Sequence, residues 1–244
     1  MTDDRVHPDP VATGWPDAPG SEHARQATWP DELVQEQVAA VIAAAAQDPQ
    51  GIVPIVQAGH PALRMRAVPL TGQLDAATLT ELIAVMRRTM HAAPGVGLAA
   101  PQIGLPIALA VIADPGAGDP EVEAVRERPA LPFRVLVNPT YSPVPDEDPE
   151  PVSFYEGCLS VEGYQAVVPR LRRLRLRCTD EHGTAVDEVV QGWPARIVQH
   201  ETDHLHGVLY LDRALTRSLS AVDDFGAHWA GQPRPEDAAR TLGF

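Results

Sequence analysis

The chain has no lysine: all 19 of its basic residues are arginine. This is a compositional bias from which no function follows. Cysteine is nearly absent as well, and the two present, Cys158 and Cys178, are too few for a disulfide framework. No run of about 18 apolar residues occurs, so a membrane span is not expected. No charged-then-apolar leader precedes a small-residue cleavage site, and the expected compartment is a reducing cytoplasm. Basic charge is outnumbered. With 33 acidic residues the net charge is −14, which argues against nucleic acid or an anionic membrane as a partner, since both demand basic surface.

What is present suits a globular protein. An apolar fraction of 44% over 244 residues is enough for one domain with a proper core. Charge is unevenly spread: residues 1–50 hold nine acids against Arg5 and Arg25, a net of −7 and half the excess. The expected division is an acidic extension at 1–50, a catalytic body at 51–214 and a polar C-terminal tail at 215–244.

Residues 1–29 are rich in Pro, Gly, Asp and Ala without periodicity, and read as a disordered lead. Asp31 is placed to cap a helix to about Gln47, with Val34, Val38, Val41 and Ile42 on one stripe, packing as an add-on. Ile52 to Gln57 is a β-rich run. Asp75 to about His91 predicts an amphipathic helix, capped by Asp75 and buried through Leu79, Leu82, Ile83, Met86 and Met90. Strands are expected at Ile107–Ile112 and Val135–Asn138. A short helix is expected near Glu121–Arg128, and Ser142–Val152 reads as a solvated loop. Leu171–Thr179 and Ala185–Val190 read as a hairpin turned at Glu181-His182-Gly183. The arginines between 170 and 177 alternate with Leu174 and Leu176, which predicts a half-exposed strand and not a nucleic-acid patch.

The chemistry centres on Gln199-His200-Glu201-Thr202-Asp203-His204. H-E-x-x-H puts two imidazoles at i and i+4 on one helix face, with a glutamate beside the first in reach of metal-activated water. The helix is expected to start near Pro194, to end at Gly207, and to bury Ile197, Val198 and Leu205. A catalytic centre of this type needs a third protein ligand. From the residues alone the candidates are the other histidines (7, 23, 60, 91, 182, 206, 228), the acids and the two cysteines. A third histidine six residues after His204 is missing, because that position is Tyr210.

Three blocks narrow the choice. G-x-G-L-A-A-P-Q at 95–102, E-G-C-L-S at 156–160 and Q-H-E-x-D-H-L-x-G at 199–207 together resemble the signature motifs of peptide deformylase, in order and spacing. The resemblance covers residues 52–214. Glu162, where many members have a proline soon after the cysteine block, is a departure. The resemblance implies an α+β fold with antiparallel strands packed around the H-E-x-x-H helix. It implies that Cys158, His200 and His204 bind one divalent metal, Fe(II) by family habit, with Zn(II), Ni(II) and Co(II) fitting the same donors. The implied reaction is hydrolysis of the N-formyl group on the N-terminal methionine of newly made polypeptides. Glu201 would act as proton carrier, with the Gln102 side chain and the Leu159 backbone N–H stabilising the oxyanion. Val96, Gly97 and Gly157 would hold the peptide backbone, with Val96 and Ile197 beside the methionine side chain. Glu156 and Arg170 would pair to brace the cysteine loop. The implied partner is the nascent formylated chain, with transient ribosome contact. The competing expectations are an H-E-x-x-H metallopeptidase and a noncatalytic peptide-binding paralogue.

Overall fold

Val34, Val38 and Ala45, at helical spacing, are buried along α1 (Asp31–Gln47) in the computed structural model, which describes residues 25–26 and 29–244. The expected disordered lead lies outside the described residues except at 25–26 and 29. There, β1 (Arg25–Gln26) pairs in parallel with β2 (Met65–Arg66). The cap of α1 is Pro30, not Asp31: the Pro30 carbonyl accepts from Leu33 and Val34 N–H, and Asp31 becomes the first helical residue. Nor is α1 an appendage, because its buried stripe shares one core with α2 (Ala76–Ala92). The second helix starts as its sequence dictates, with the Asp75 side chain accepting from Thr78 N–H at 2.8 Å. Leu82, Met86 and Met90 are fully buried on it, each worth about 1.5–3 kcal/mol of hydrophobic stabilisation.

Ile52–Gln57 is not a strand. Its backbone donors go to side chains and a loop: Ile52 N–H to Asp48 Oδ1, Val53 N–H to Thr89 Oγ1 and Val56 N–H to the Gln102 carbonyl. No ladder partner is left for it among the described residues.

Beyond α2 the chain lays down β3 (Gly97–Ala99), β4 (Leu109–Asp114), the short helix α3 (Pro120–Arg126) and β5 (Leu131–Ser142). The hairpin β6 (Pro151–Cys158) and β7 (Val161–Leu171) comes next, followed by β8 (Arg173–Thr179), β9 (Ala185–Gln191) and α4 (Gly192–Leu205). The predicted 171–190 hairpin is the β8–β9 pair. The 135–138 strand is the middle of the longer β5, and the H-E-x-x-H helix begins two residues before Pro194. After residue 214, the expected polar tail supplies β10 (Ser220–Ala221), α5 (Val222–His228) and α6 (Glu236–Leu242).

Two antiparallel sheets result, five strands in the order β3-β4-β5-β8-β9 and three in the order β10-β7-β6. The α+β architecture implied by the sequence holds, with α4 between the sheets and buried on nearly all sides. Trp193, Ala195, Ile197, Val198 and Leu205 of α4 join a core with Ile112, Leu136, Leu174 and Leu176. The β6–β7 hairpin, the longest pairing among the described residues, drew no strand reading from sequence. Pro169 and the charged Arg170 interrupt the apolar pattern of β7.

Candidate metal centre and substrate cleft

Alternation along β6 sets the site. Phe154, Glu156 and Cys158 are two residues apart and so share one strand face, and that face meets α4. The Phe154 ring packs 5.9 Å from Trp193, Glu156 Oε2 lies 3.0 Å from His200 Nδ1, and Cys158 Sγ lies 3.3 Å from His204 Nε2. A register shift between Gly157 and Cys158, a bulge of the kind that re-aims a side chain, ends the ladder where the thiol is needed. Cys158, His200 and His204 thus each offer one donor, and the three atoms lie within 4.8 Å of one another. They are the one such gathering of three among the described residues.

This donor set fits a divalent ion. Burial pushes the Cys158 thiol up, but the His204 charge and hydrogen bonds from both imidazoles outweigh it and bring it down to about 5. The sulfur is therefore a thiolate, the form that binds metal. Tyr210, at the position a third histidine would take, is not a ligand; its hydroxyl donates to the Tyr164 carbonyl at 3.1 Å.

Behind the ligands lies a buried charge network. Arg170 donates from Nε and Nη2 to the two Glu156 oxygens at 2.8 and 3.0 Å, and from Nη1 to Asp203 Oδ2 at 2.6 Å. Arg196 adds a 2.6 Å bond to Glu156, and Arg213 and Tyr141 close on Asp203 at 2.8 and 3.0 Å. Burial opposes charge on Glu156, yet Arg170 and Arg196 outweigh it and hold the carboxyl well below the usual range. Glu156 remains a carboxylate, so His200 Nδ1–H donates to it and the other ring nitrogen is left for metal. The Glu156–Arg170 pairing is as expected from sequence; the parts of Arg196, Asp203, Arg213 and Tyr141 went unread. Arg170 is only 1% exposed, which corrects the half-exposed expectation at that position.

Glu201 is buried, and its Oε2 has no hydrogen-bond partner. Burial raises its pKa. Gly97 makes room for it: a Cβ at 97 would lie 2.1 Å from Glu201 Oε1. Gln102 is oriented by its own loop. Its Oε1 accepts from Ala99 N–H at 2.8 Å, which turns Nε2 toward Cys158 Sγ at 3.6 Å and Ser160 Oγ at 3.4 Å. The Leu159 carbonyl is tied to Gln57 Nε2 at 3.0 Å, and the same Gln57 accepts from Glu162 N–H at 3.2 Å. That bond secures the loop at the position where a proline is usual.

These groups face a cleft of about 850 Å³. Its rims include Val96 and Gly97 on one side and Gly157 on the other, with Ile197 on α4. The strands β3 and β6 are each the end strand of their sheet, so both present unpaired edges to an extended chain. Nine of the ten site residues singled out from sequence line this cleft, and the tenth, His204, lies against Cys158. Sequence reasoning missed Trp193 and Arg126 on the wall, and Val222 and Phe225 from the C-terminal segment.

Residues 52–219 match the family model described as polypeptide deformylase. Peptide deformylase 3 of Streptomyces avermitilis is 57% identical over 194 residues, 80% of this chain and 85% of that protein. Peptide deformylase 1 of Streptomyces coelicolor is 55% identical over 194 residues, 80% and 87% of the two chains. Among solved structures, the Met-Ala-Ser-bound class I type b peptide deformylase from Acinetobacter baumannii is 32% identical. It superposes with a TM-score of 0.58, covering 66% of this chain and 98% of that one. Its actinonin-bound form gives 0.56, at 67% and 98% coverage.

Proposed function

The chain belongs to the peptide deformylase family, and from that membership and the cleft geometry we propose which of its residues carry the reaction. The reaction is hydrolysis of the formyl group from the N-terminal methionine of new polypeptides, releasing formate. Cys158, His200 and His204 would hold the ion. Once bound, it would supply the Lewis acidity that polarises the formyl carbonyl and makes water a nucleophile near neutral pH. Glu201 takes the proton from the attacking water and returns it to the leaving amine. Its burial brings its pKa nearer the working pH, as a base that must also act as an acid requires. Gln102 Nε2 and the Leu159 N–H stabilise the developing oxyanion; losing one such donor typically costs about 100- to 1000-fold in turnover.

The observation that carries this assignment is the Glu201 carboxylate, buried with one oxygen unpaired beside the Cys/His/His cluster. The substrate backbone lies extended between Val96-Gly97 and Gly157, with the methionine side chain toward Ile197. The metal is Fe(II), which one thiolate and two imidazoles accommodate. The substrate is a chain leaving the ribosome in the cytoplasm, so ribosome contact is transient.

The test is formate release from formyl-Met-Ala-Ser by protein loaded anaerobically with Fe(II) or Ni(II). Turnover is expected, and Cys158→Ala should lose both metal, by elemental analysis, and activity. No formate with either ion would overturn the assignment, as would full metal content in the Cys158 variant.

A further inference from the structure

The segment after residue 219 lies beyond the family match, yet it forms part of the cleft: Val222, Phe225 and Ala230 line it. It is a packed body. Phe225 packs on Tyr155 of β6 with its ring tilted by 57° and the ring centroids 4.8 Å apart, and Ala238 is buried against Tyr155 and Val167 beneath Trp229, Leu242 and Phe244. Two further ties fix its position. The strand β10 pairs with β7, Ala221 opposite Tyr164, and Arg126 of α3 donates from Nε to the Pro233 carbonyl at 3.1 Å.

Two exposed apolar side chains of this region line the cleft. Tyr164 is 49% exposed and Val222, next to its strand partner, is 42% exposed. Scattered apolar residues on a surface need no explanation. These two line the cleft together with the half-buried Phe225.

We propose that α5, held in place by the pairing of β10 with β7, forms an outer wall of the substrate cleft, and that Tyr164, Val222 and Phe225 select apolar side chains among the residues that follow the substrate's methionine. The occupant is the substrate itself, because the wall is continuous with the cleft that holds its first residue. The inference rests on the deformylase assignment.

Full-length metal-loaded enzyme is assayed for formate release from formyl-Met-Ala, formyl-Met-Ala-Leu-Leu and formyl-Met-Ala-Ser-Ser. The expected KM for the Leu-Leu peptide is about tenfold below that for Ser-Ser, at similar kcat, the scale of a few apolar contacts. Tyr164→Ser and Val222→Ser, both surface changes that leave the core intact, should erase that ratio through KM. Equal KM values for the two tetrapeptides in the unaltered enzyme would overturn the proposal. So would a ratio that survives both substitutions, or a loss that falls equally on kcat for all three peptides. Absence of turnover on formyl-Met-Ala would instead overturn the deformylase assignment, and this inference with it.

Discussion

Gly97→Ala adds one methyl group to the cleft and should disable the enzyme without removing its metal. The new Cβ would lie 2.1 Å from Glu201 Oε1, 2.5 Å from Cδ and 2.8 Å from Cγ, where ordinary contact begins near 3.4 Å. The carboxylate must therefore retreat by about 1.3 Å, and the backbone of Gly97 cannot yield easily because it is paired with Ile112 in the sheet. A displacement of about 1 Å in a catalytic group costs on the order of 100-fold, equivalent to about 2.7 kcal/mol of transition-state stabilisation. The assay is formate release from formyl-Met-Ala-Ser at matched metal content. A fall of about 100-fold in kcat is expected, with the metal still at one per chain. Combining it with Glu201→Asp isolates the cause. Asp is one methylene shorter and eases the collision, leaving only the 2.8 Å approach at the Cγ position, so the two losses should fall short of additivity. Wild-type kcat in Gly97→Ala, or fully additive losses in the double variant, would refute the steric argument.

The two cysteines should differ in reactivity. Burial raises Cys178 to about 11, whereas Cys158 sits at about 5. In metal-stripped protein, iodoacetamide should label Cys158 at a rate nearly flat between pH 7 and 8. Labelling of Cys178 should be slow and rise about tenfold per pH unit, since its thiolate fraction is small there; peptide mass spectrometry showing Cys178 labelled first would contradict this. Arg170→Ala strips Glu156 and Asp203 of their shared buried cation and should cost about 3–5 kcal/mol, read as a Tm lower by roughly 10 °C. The network also sets an acid limit. Burial opposes charge on both carboxylates, but their arginine partners depress both folded-state pKa values. The stability they contribute is complete above the ordinary carboxylate pKa of about 4 and is lost as pH falls through the depressed values. Arg170→Ala should therefore flatten the acid limb of the Tm–pH curve, and an unchanged limb would show that the network does not govern it.

Features governed by local rules were legible in the sequence. The Asp75 cap and the Leu82–Met90 stripe follow from side chains acting within a turn or two of themselves. The H-E-x-x-H helix was legible for the same reason. Ile52–Gln57 misled because β-propensity describes a side chain's fit to a sheet and not the presence of a partner; its donors found Thr89 and Gln102 instead. Arg170 read as half-exposed because alternation with its neighbours cannot show burial against acids 14 and 33 residues away, of which the motif resemblance named only Glu156. The C-terminal wall escaped notice since α5 and α6 are seven residues each, too short to show a periodicity, and Phe225 gains its meaning only from Tyr155 across the fold. Cys158 is the intermediate case: spacing alone left it one candidate among many, and the motif resemblance singled it out.

The central claim is that Glu201 carries the proton in a centre whose metal is held by three other residues. Glu201→Gln keeps the size of the side chain and removes the base. Formate release from formyl-Met-Ala-Ser should fall by about 100-fold or more, while elemental analysis still finds one metal per chain. Undiminished formate release at full metal content would contradict the account.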